Sequence, residues 1–379
     1  MQVANFVAPR SGGLRTALGQ LAEGYAARGH QVIQVIPGRT DGEAGTPWGT
    51  RVTVRAPRVL GTGYRVLTRL AALRQVLDRH RPDRLEVHDR LTLRRLGGWG
   101  GVPALVVSHE RLDRVSAAWL PATLPLERWA DRSNAALASR FDAVVCTTWW
   151  AAEEFTRLGT PNLHVVPLGV DLSRFHPAMA SPALRASWLG DCEALLLMAS
   201  RLSAEKCPQL ALDTVAELLH RGRRVRLVVA GDGPLRRGLQ ARAADLPVRF
   251  LGFVPGADRL AAVLASADVL LAPGPVETFG LSALEALASG TPAFAQRASA
   301  LPEVLGSWDG SGTPAGLAAE GSAAAFADAV DTLLDRPRQA RVVAARSRAE
   351  LFPWAATVDG FLAAHELTAA PAPLRWGSA

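Results

Sequence analysis

Apolar residues recur along this chain at two spacings, and the two alternate. Short continuous apolar runs read as buried strands, and stretches with an apolar residue every three or four positions read as helices facing a core. In the N-terminal half the runs lie at residues 2–8, 31–36, 51–56, 83–87, 104–108, 143–147 and 163–166, with helical stretches between them that include 14–28 and 64–80. The C-terminal half repeats the rhythm, with strands at 194–200, 224–230, 248–253, 269–272 and 291–295 and helices at 208–221, 234–244, 257–265 and 280–289. Strands joined through helices pair in parallel, so the pattern predicts an α/β chain with doubly wound parallel sheets.

At 379 residues the chain is too long for one such domain and fits two. The expected division is a first Rossmann-like domain over 1–170, a linker over 171–183, and a second Rossmann-like domain over 184–353, the two facing across a cleft. The linker is read from Pro167, Pro177 and Pro182, which fall in a stretch without a strong period. Residues 354–379 are expected to form a helix packing back on the first domain and, after Thr368, a loose tail.

Composition narrows the class. A hydrophobic fraction of 49% with 20% charged residues excludes a disordered chain. No apolar run reaches the roughly 20 residues of a membrane span, and the N-terminus lacks the basic head of a signal peptide. Cys146, Cys192 and Cys207 match no zinc spacing and read as reduced thiols. The expectation is therefore a soluble, cytoplasmic protein. Its net charge of +7 favours anionic partners: nucleic acid, a phosphorylated substrate or an acidic lipid surface. Among 42 basic residues Lys206 is the one lysine, which marks its surroundings for inspection.

Four places could carry chemistry. Ser11-Gly12-Gly13 follows a strand and opens a helix, where backbone amides can approach an anion; alone, a Gly-Gly is more often a tight turn. Arg201 and Lys206 lie after the 194–200 strand, where a fork and a point charge could clamp two phosphates, or could be solvated loop charges. Glu277-Thr-Phe-Gly-Leu-Ser-Ala-Leu-Glu285 opens a helix near Gly280. The amides of Phe279, Gly280 and Leu281 would form an anion site there, with Glu277 and Glu285 able to accept from sugar and ribose hydroxyls. His109 ends a strand in the N-terminal half. His88-Asp89 is similar and reads as structural.

The motifs that are missing matter too. The sequence has no D-x-D cation motif, no H-E-x-x-H, no P-loop and no G-x-S-x-G elbow. A diphosphate at this site would have to be held by cations and helix amides without a metal. The basic stretch 64–81 carries Val66, Leu70, Leu73 and Leu77 on one stripe and Arg65, Arg69, Arg74, Arg79 and Arg81 off it. It reads first as an ordinary surface helix with a buried stripe, and its arginines could also touch anionic lipid.

In combination these residues resemble a family. Ser11-Gly12-Gly13, Val166-Pro-Leu-Gly-Val-Asp171, Arg201 with Lys206, Gly231-Asp232-Gly233-Pro234 and Glu277 with Glu285 fall in the order of retaining glycosyltransferases of family 4, which have the GT-B fold. The resemblance implies that Gly12 and Gly13 approach a nucleotide-sugar donor, that Arg201 and Lys206 hold its diphosphate, and that Glu285 binds ribose. It also implies that Glu277 and the Phe279–Leu281 amides hold the transferred sugar and phosphates, that Val254 lies by the base, and that His109 lies near the anomeric centre. His109, Arg201, Lys206 and Glu277 are the implied catalytic residues.

A narrower resemblance rests on Ala8-Pro-Arg-Ser-Gly-Gly-Leu-Arg-Thr-Ala17, Asp89-Arg-Leu-Thr-Leu-Arg94, Ser108-His-Glu-Arg-Leu-Asp-Arg114 and Ala272-Pro-Gly-Pro275. These are similar to the actinobacterial GDP-mannose-dependent phosphatidylinositol dimannoside mannosyltransferases of the PimC type. That implies metal-independent transfer of mannose, with retention, to a glycolipid acceptor at the inner face of the cell membrane, in an α-1,6 linkage. No cofactor beyond the donor substrate is expected. Cys207 departs from the family, which commonly has Gly after the lysine, and Ala298-Ser-Ala-Leu-Pro-Glu303 replaces a usual Gly-Gly before Pro-Glu. Two other readings stay open. One is another nucleotide sugar or a soluble acceptor. The other is a nucleic-acid-binding protein, which rests on charge alone and lacks a recognised module.

Overall fold

The computed structural model describes residues 1–7, 12–59, 64–114, 125–306 and 310–368. The expected tail after Thr368 and Ser11 of the Gly-Gly turn lie outside them. The chain forms two compact units: Met1–Leu168 joined by the chain from Trp354, and Gly169–Pro353.

The sheet of the first unit contains, among the described residues, β1 (Gln2–Ala4), β2 (Val32–Gly38), β3 (Gly42–Thr46), β4 (Gly49–Arg55), β5 (Leu85–His88), β6 (Ala104–Ser108), β7 (Ala143–Cys146) and β8 (Leu163–Val165). Their order is β3-β4-β2-β1-β5-β6-β7-β8. Every pair is parallel except the β3–β4 hairpin. Every residue of β5, β6 and β7 is buried, as expected of parallel strands covered on both faces. Strand β3 escapes the sequence pattern because Gly-Glu-Ala-Gly-Thr has no apolar run; it is an exposed edge strand held by backbone bonds to β4.

The helix Gly13–Ala27 turns Ala17, Leu18, Leu21, Ala22 and Tyr25 inward. The helix Trp354–Ala364 packs on it where Gly24 lets it approach, since a Cβ at Gly24 would stand 2.3 Å from a Val358 methyl. Arg28 fastens the contact by an ion pair to Asp359 at 2.6 Å.

The helix expected over 64–80 is shorter, Leu70–His80. Residues 64–69 are held extended: the Leu67 amide donates to Asn5 Oδ1 at 2.7 Å, Val66 N–H to Pro57 O at 3.2 Å, and Arg65 Nη1 to Ala56 O at 2.5 Å. The helix that remains buries Leu73, Val76 and Leu77, so its stripe belongs to the core. Strand β1 likewise ends at Ala4 rather than at residue 8, because Asn5 turns its side chain to Asp89 and Thr92.

The second unit holds, among the described residues, a fully parallel sheet of β9 (Ala194–Ala199), β10 (Val225–Ala230), β11 (Val248–Gly252), β12 (Val269–Ala272), β13 (Ala293–Gln296) and β14 (Gly316–Ala319), in the order β11-β10-β9-β12-β13-β14. Strand β14 is too short and too poor in branched residues to stand out in sequence. The helix Ala257–Ala265 has the bounds its spacing predicts, whereas Arg236–Arg242 is shorter than the expected 234–244. Residues 171–183, read as a linker, fold as part of this unit. Val170 N–H bonds to Phe352 O at 2.9 Å, Asp171 accepts from the Ser173 and Arg174 amides, and Ser181 caps the helix Pro182–Leu189.

In each sheet the winding direction reverses once, between β1 and β5 and between β9 and β12. The loops leaving the carboxyl ends of such strand pairs diverge and open a crevice where ligands of doubly wound folds bind. Among the described residues no helix is long and apolar enough to cross a membrane.

Candidate active site

The reversal between β9 and β12 places residues 200–207 beside residues 273–280. Leu202, wholly buried, anchors the first of these loops: its N–H donates to Asp232 O and its carbonyl accepts from Leu235 N–H, both at 3.1 Å. The Gly231-Asp232-Gly233 turn after β10 lies backbone to backbone against it. A Cβ at Gly231 would stand 1.8 Å from Ser200 O, and one at Gly233 would stand 2.4 Å from Leu202 O. A side chain at either position would push away the loop that carries Arg201.

Beyond Arg201 a 3₁₀ turn, Ala204–Lys206, leads to Cys207 at φ 44°, ψ 48°, and the helix Pro208–His220 follows. A left-handed residue is needed at this junction, and glycine would take the conformation without strain. That is the physical reason for the glycine common at this place in the resembling family.

The second loop begins with Pro273-Gly274-Pro275. Gly274 lies so close to the turn that a Cβ there would be 3.0 Å from Glu205 O and 3.3 Å from Lys206 Cα. This approach delivers Glu277 to Lys206, whose Nζ donates to Glu277 Oε1 in an ion pair. The Glu277 carbonyl in turn accepts from Ala300 N–H at 2.9 Å. Phe279 is buried edge-on against Phe352, with ring centres 6.2 Å apart, and pins the loop to the core.

Gly280, at φ 79°, caps the helix Leu281–Ala288 and packs tightly enough that a Cβ would meet Leu301 at 2.3 Å. Its carbonyl already takes the Ala283 and Leu284 amides, so the amides of Gly280, Leu281 and Ser282 open the positive end of the helix. Phe279 serves as the anchor of this turn through its side chain.

Glu285, one turn further on, is half-buried. Desolvation pushes its carboxyl up to about 8, and among the described residues no cation is paired with it. Val254 is half-buried in the loop after β11. The sequence-predicted residues of this unit therefore share one edge of the sheet, and the structure brings Lys206 and Glu277 into contact. Among the described residues no three His, Cys, Asp or Glu side chains gather as a metal-ligating group.

In the first unit Gly12 caps the helix Gly13–Ala27, its carbonyl accepting from Arg15 and Thr16 at 3.1 and 3.3 Å. No described atom lies within 4 Å of where its Cβ would stand. His109 follows β6 and stacks on His88, with 2.8 Å between its Nε2 and His88 Nδ1. His88 Nε2 reaches Glu86 Oε1 at 2.6 Å. Burial, with His88 alongside, lowers His109 to about 3, so its ring is neutral.

Sequence reasoning missed Glu86. Burial by itself raises its carboxyl, but hydrogen bonds from His365 and His88 outweigh that and hold it well below the carboxylate range. Tyr25 and Gln2 also donate to it, at 2.6 and 2.8 Å. The available signal was a glutamate between two apolar strand residues, Leu85 and Val87. Arg90 was also missed: buried, it pairs with Glu154 and Asn134 and donates to Ser108 Oγ and Glu110 O at 2.9 Å, tying the loop after β5 to the one after β6. Arg55, Arg65 and Arg69 line, with Ala56 and Pro57, a cavity of about 510 Å³. The sequence put two of these arginines on a helix; both precede it.

Comparison with known proteins agrees with this architecture. The family described as Glycosyltransferase Family 4 matches residues 11–174, and the one described as Glycosyl transferases group 1 matches residues 193–336. A GDP-mannose-dependent alpha-(1-6)-phosphatidylinositol dimannoside mannosyltransferase of Mycobacterium tuberculosis is 46% identical over 367 residues, covering 96% of this chain and 94% of that protein. A 2-deoxystreptamine glucosyltransferase of Streptomyces kanamyceticus is 32% identical over 62% of each chain. The structure of sucrose-phosphate synthase from Thermosynechococcus elongatus superposes with a TM-score of 0.74 at 20% identity, covering 94% of this chain and 96% of that one. The fold is GT-B.

Proposed function

Because the chain belongs to the family 4 glycosyltransferases, we propose that it moves mannose from GDP-mannose to phosphatidylinositol dimannoside, with an α-1,6 linkage and retention of configuration, giving a trimannoside. One observation carries the reading: the 46% identity, across 96% of the chain, to an enzyme whose name states that donor, linkage and acceptor.

In this reading the second unit binds the donor. Arg201, Lys206 and the amides at Gly280, Leu281 and Ser282 face the diphosphate, Glu277 accepts from mannose hydroxyls, Glu285 from the ribose, and Val254 covers the base. The bond from mannosyl C1 to the β-phosphate oxygen breaks while a bond to the acceptor oxygen forms on the same face. The acceptor proton passes to a β-phosphate oxygen and GDP leaves. Charge grows on the diphosphate as the bond loosens, so fixed cations and amides bind the transition state more tightly than the ground state. These groups take the place of a metal ion.

An anionic glycolipid acceptor accords with the net charge of +7 and with the arginine-lined cavity at Arg55, Arg65 and Arg69. The protein then works peripherally at the cytoplasmic face of the membrane. A soluble acceptor is the second reading, favoured by the likeness to the 2-deoxystreptamine glucosyltransferase.

Mass spectrometry of products from the purified protein, with GDP-mannose and UDP-sugars offered against phosphatidylinositol mannosides and soluble aminocyclitols, tests the choice. The expected product is one added hexose on the dimannoside, from GDP-mannose. Transfer to the aminocyclitol alone would move the chain to the second reading.

A further inference from the structure

Phe6 departs from expectation twice. It follows β1 at φ 58°, a left-handed conformation that glycine takes freely and an aromatic residue does not, and 37% of it is exposed. Core packing does not account for a residue whose backbone is strained while its ring stays at the surface. Its neighbours hold it there. Asn5, wholly buried, turns its side chain to Asp89 and Thr92, and its Oδ1 accepts the Leu67 amide at 2.7 Å. That bond draws residues 64–67 across the sheet, so that Tyr64 meets the Phe6 ring edge to face, with centres 5.9 Å apart. The same strap is tied to the residues leaving β4, through Val66 N–H to Pro57 O at 3.2 Å and Arg65 Nη1 to Ala56 O at 2.5 Å.

Strands β1 and β4 end at the same edge of the sheet with β2 between them, so their ends stand two strand spacings apart, about 10 Å. Strand β6 ends at that edge too, which puts His109 on the same side. One end offers an aromatic ring. The other offers the cavity lined by Arg55, Arg65 and Arg69. The ion pairs among the described residues include none for Arg55 and a loose one, to Asp41 at 3.9 Å, for Arg69.

We propose that Phe6 and this cavity form a two-part subsite for a phosphorylated glycoside. The Phe6 ring takes the apolar face of a hexose or cyclitol, and the Arg55, Arg65 and Arg69 guanidiniums take the phosphate attached to that ring. The C–H face of such a ring packs on an aromatic as other apolar surfaces do, and guanidinium forks match phosphate oxygens. The subsite deepens the proposed function and rests on it for the ligand: in a phosphatidylinositol mannoside the inositol ring carries both the phosphate and the sugars. It also gives the strain at Phe6 a use, since the left-handed turn is what keeps the ring beside the strap.

Deacylated phosphatidylinositol dimannoside and the same headgroup with its phosphate removed are the probes, since neither involves a membrane. The wild type should favour the phosphorylated form by about tenfold in acceptor kcat/KM, the order of one charged hydrogen bond, and Arg55→Ala should erase most of that preference. Phe6→Gly should raise KM for both headgroups by about tenfold, the worth of one aromatic contact, with the donor KM changed much less. Its melting temperature should be at or above that of the wild type, because glycine relieves the left-handed backbone, and Phe6→Tyr should keep the wild-type KM. A purely structural Phe6 would show the reverse, a lowered melting temperature with an unchanged acceptor KM, and that result overturns the assignment. So do equal kcat/KM values for the two headgroups in the wild type. Inorganic phosphate that binds as tightly as the phosphorylated headgroup would make the cavity a free-phosphate site and overturn the two-part reading. Calorimetric binding of the headgroup with GDP present, weakened by Arg55→Ala and Phe6→Gly in a protein that transfers no mannose, would instead sink the proposed function and leave the subsite standing.

Discussion

Lys206 donates to Glu277 across 71 residues of sequence, and the contact exists because Gly274 lets one loop lie against the turn of the other. The two side chains are partly exposed, at 27% and 19%, so the pair adds little to stability, within about 1 kcal/mol. Its worth lies in presentation: a cation and an anion held side by side at the point where the sheet reverses its winding, each able to take a different part of one ligand.

Lys206→Ala and Glu277→Ala should each lower kcat/KM by about a hundredfold to a thousandfold, the usual loss when one preorganised charge or donor is removed. Melting temperatures should stay within a few degrees of wild type. Steady-state kinetics beside circular-dichroism melts checks both halves; near-normal turnover in both variants would discredit the site.

Cys207→Gly should stabilise the protein. The left-handed backbone at φ 44° costs a side-chain-bearing residue about 1–2 kcal/mol, against roughly 0.4–1 kcal/mol of added freedom in the unfolded chain. The net gain is about 0.5–1 kcal/mol with activity retained, measurable as a raised denaturation midpoint. A loss of stability would contradict the strain.

Glu285 makes stability depend on pH. Its carboxyl is pushed from an ordinary value of 4.5 to about 8 by desolvation, so the folded chain holds a proton that the unfolded chain releases. The contribution is complete below about 4.5 and is lost as pH climbs through about 8. Glu285→Gln should therefore flatten this fall, gaining on wild type toward alkaline pH, in urea unfolding followed across the range. Parallel curves would refute the burial argument.

Arg69→Ala should raise KM for an anionic lipid acceptor by about tenfold, the order of one charged hydrogen bond, while leaving donor KM unchanged. Arg69 lines the cavity, and its ion pair among the described residues is a loose one to Asp41, at 3.9 Å. Equal effects on both substrates would remove the cavity from the acceptor side.

Much of this was legible in the sequence for a plain reason. Strands buried on both faces, such as Ala104–Ser108 and Ala194–Ala199, are apolar nearly throughout, and the candidate site residues lie in the loops after them. Arg201, Lys206, Glu277 and Glu285 stood out by position after such runs. What stayed hidden lacks a local signal. Strand β3 is held by backbone pairing alone, and residues 64–69 are extended because Asn5, Ala56 and Pro57 hold them so. The Glu86–His88–His109 chain depends on which strand ends adjoin, a property of sheet order that spacing does not encode.

The central claim is that fixed cations and helix amides, without a metal, carry mannose transfer from GDP-mannose. The most direct measurement is transfer to phosphatidylinositol dimannoside by metal-stripped protein in excess EDTA, with the product identified by mass and anomeric configuration. The account predicts an undiminished rate and an α-linked trimannoside. Loss of transfer on chelation with recovery on adding magnesium or manganese, or a β-linked product, would contradict it.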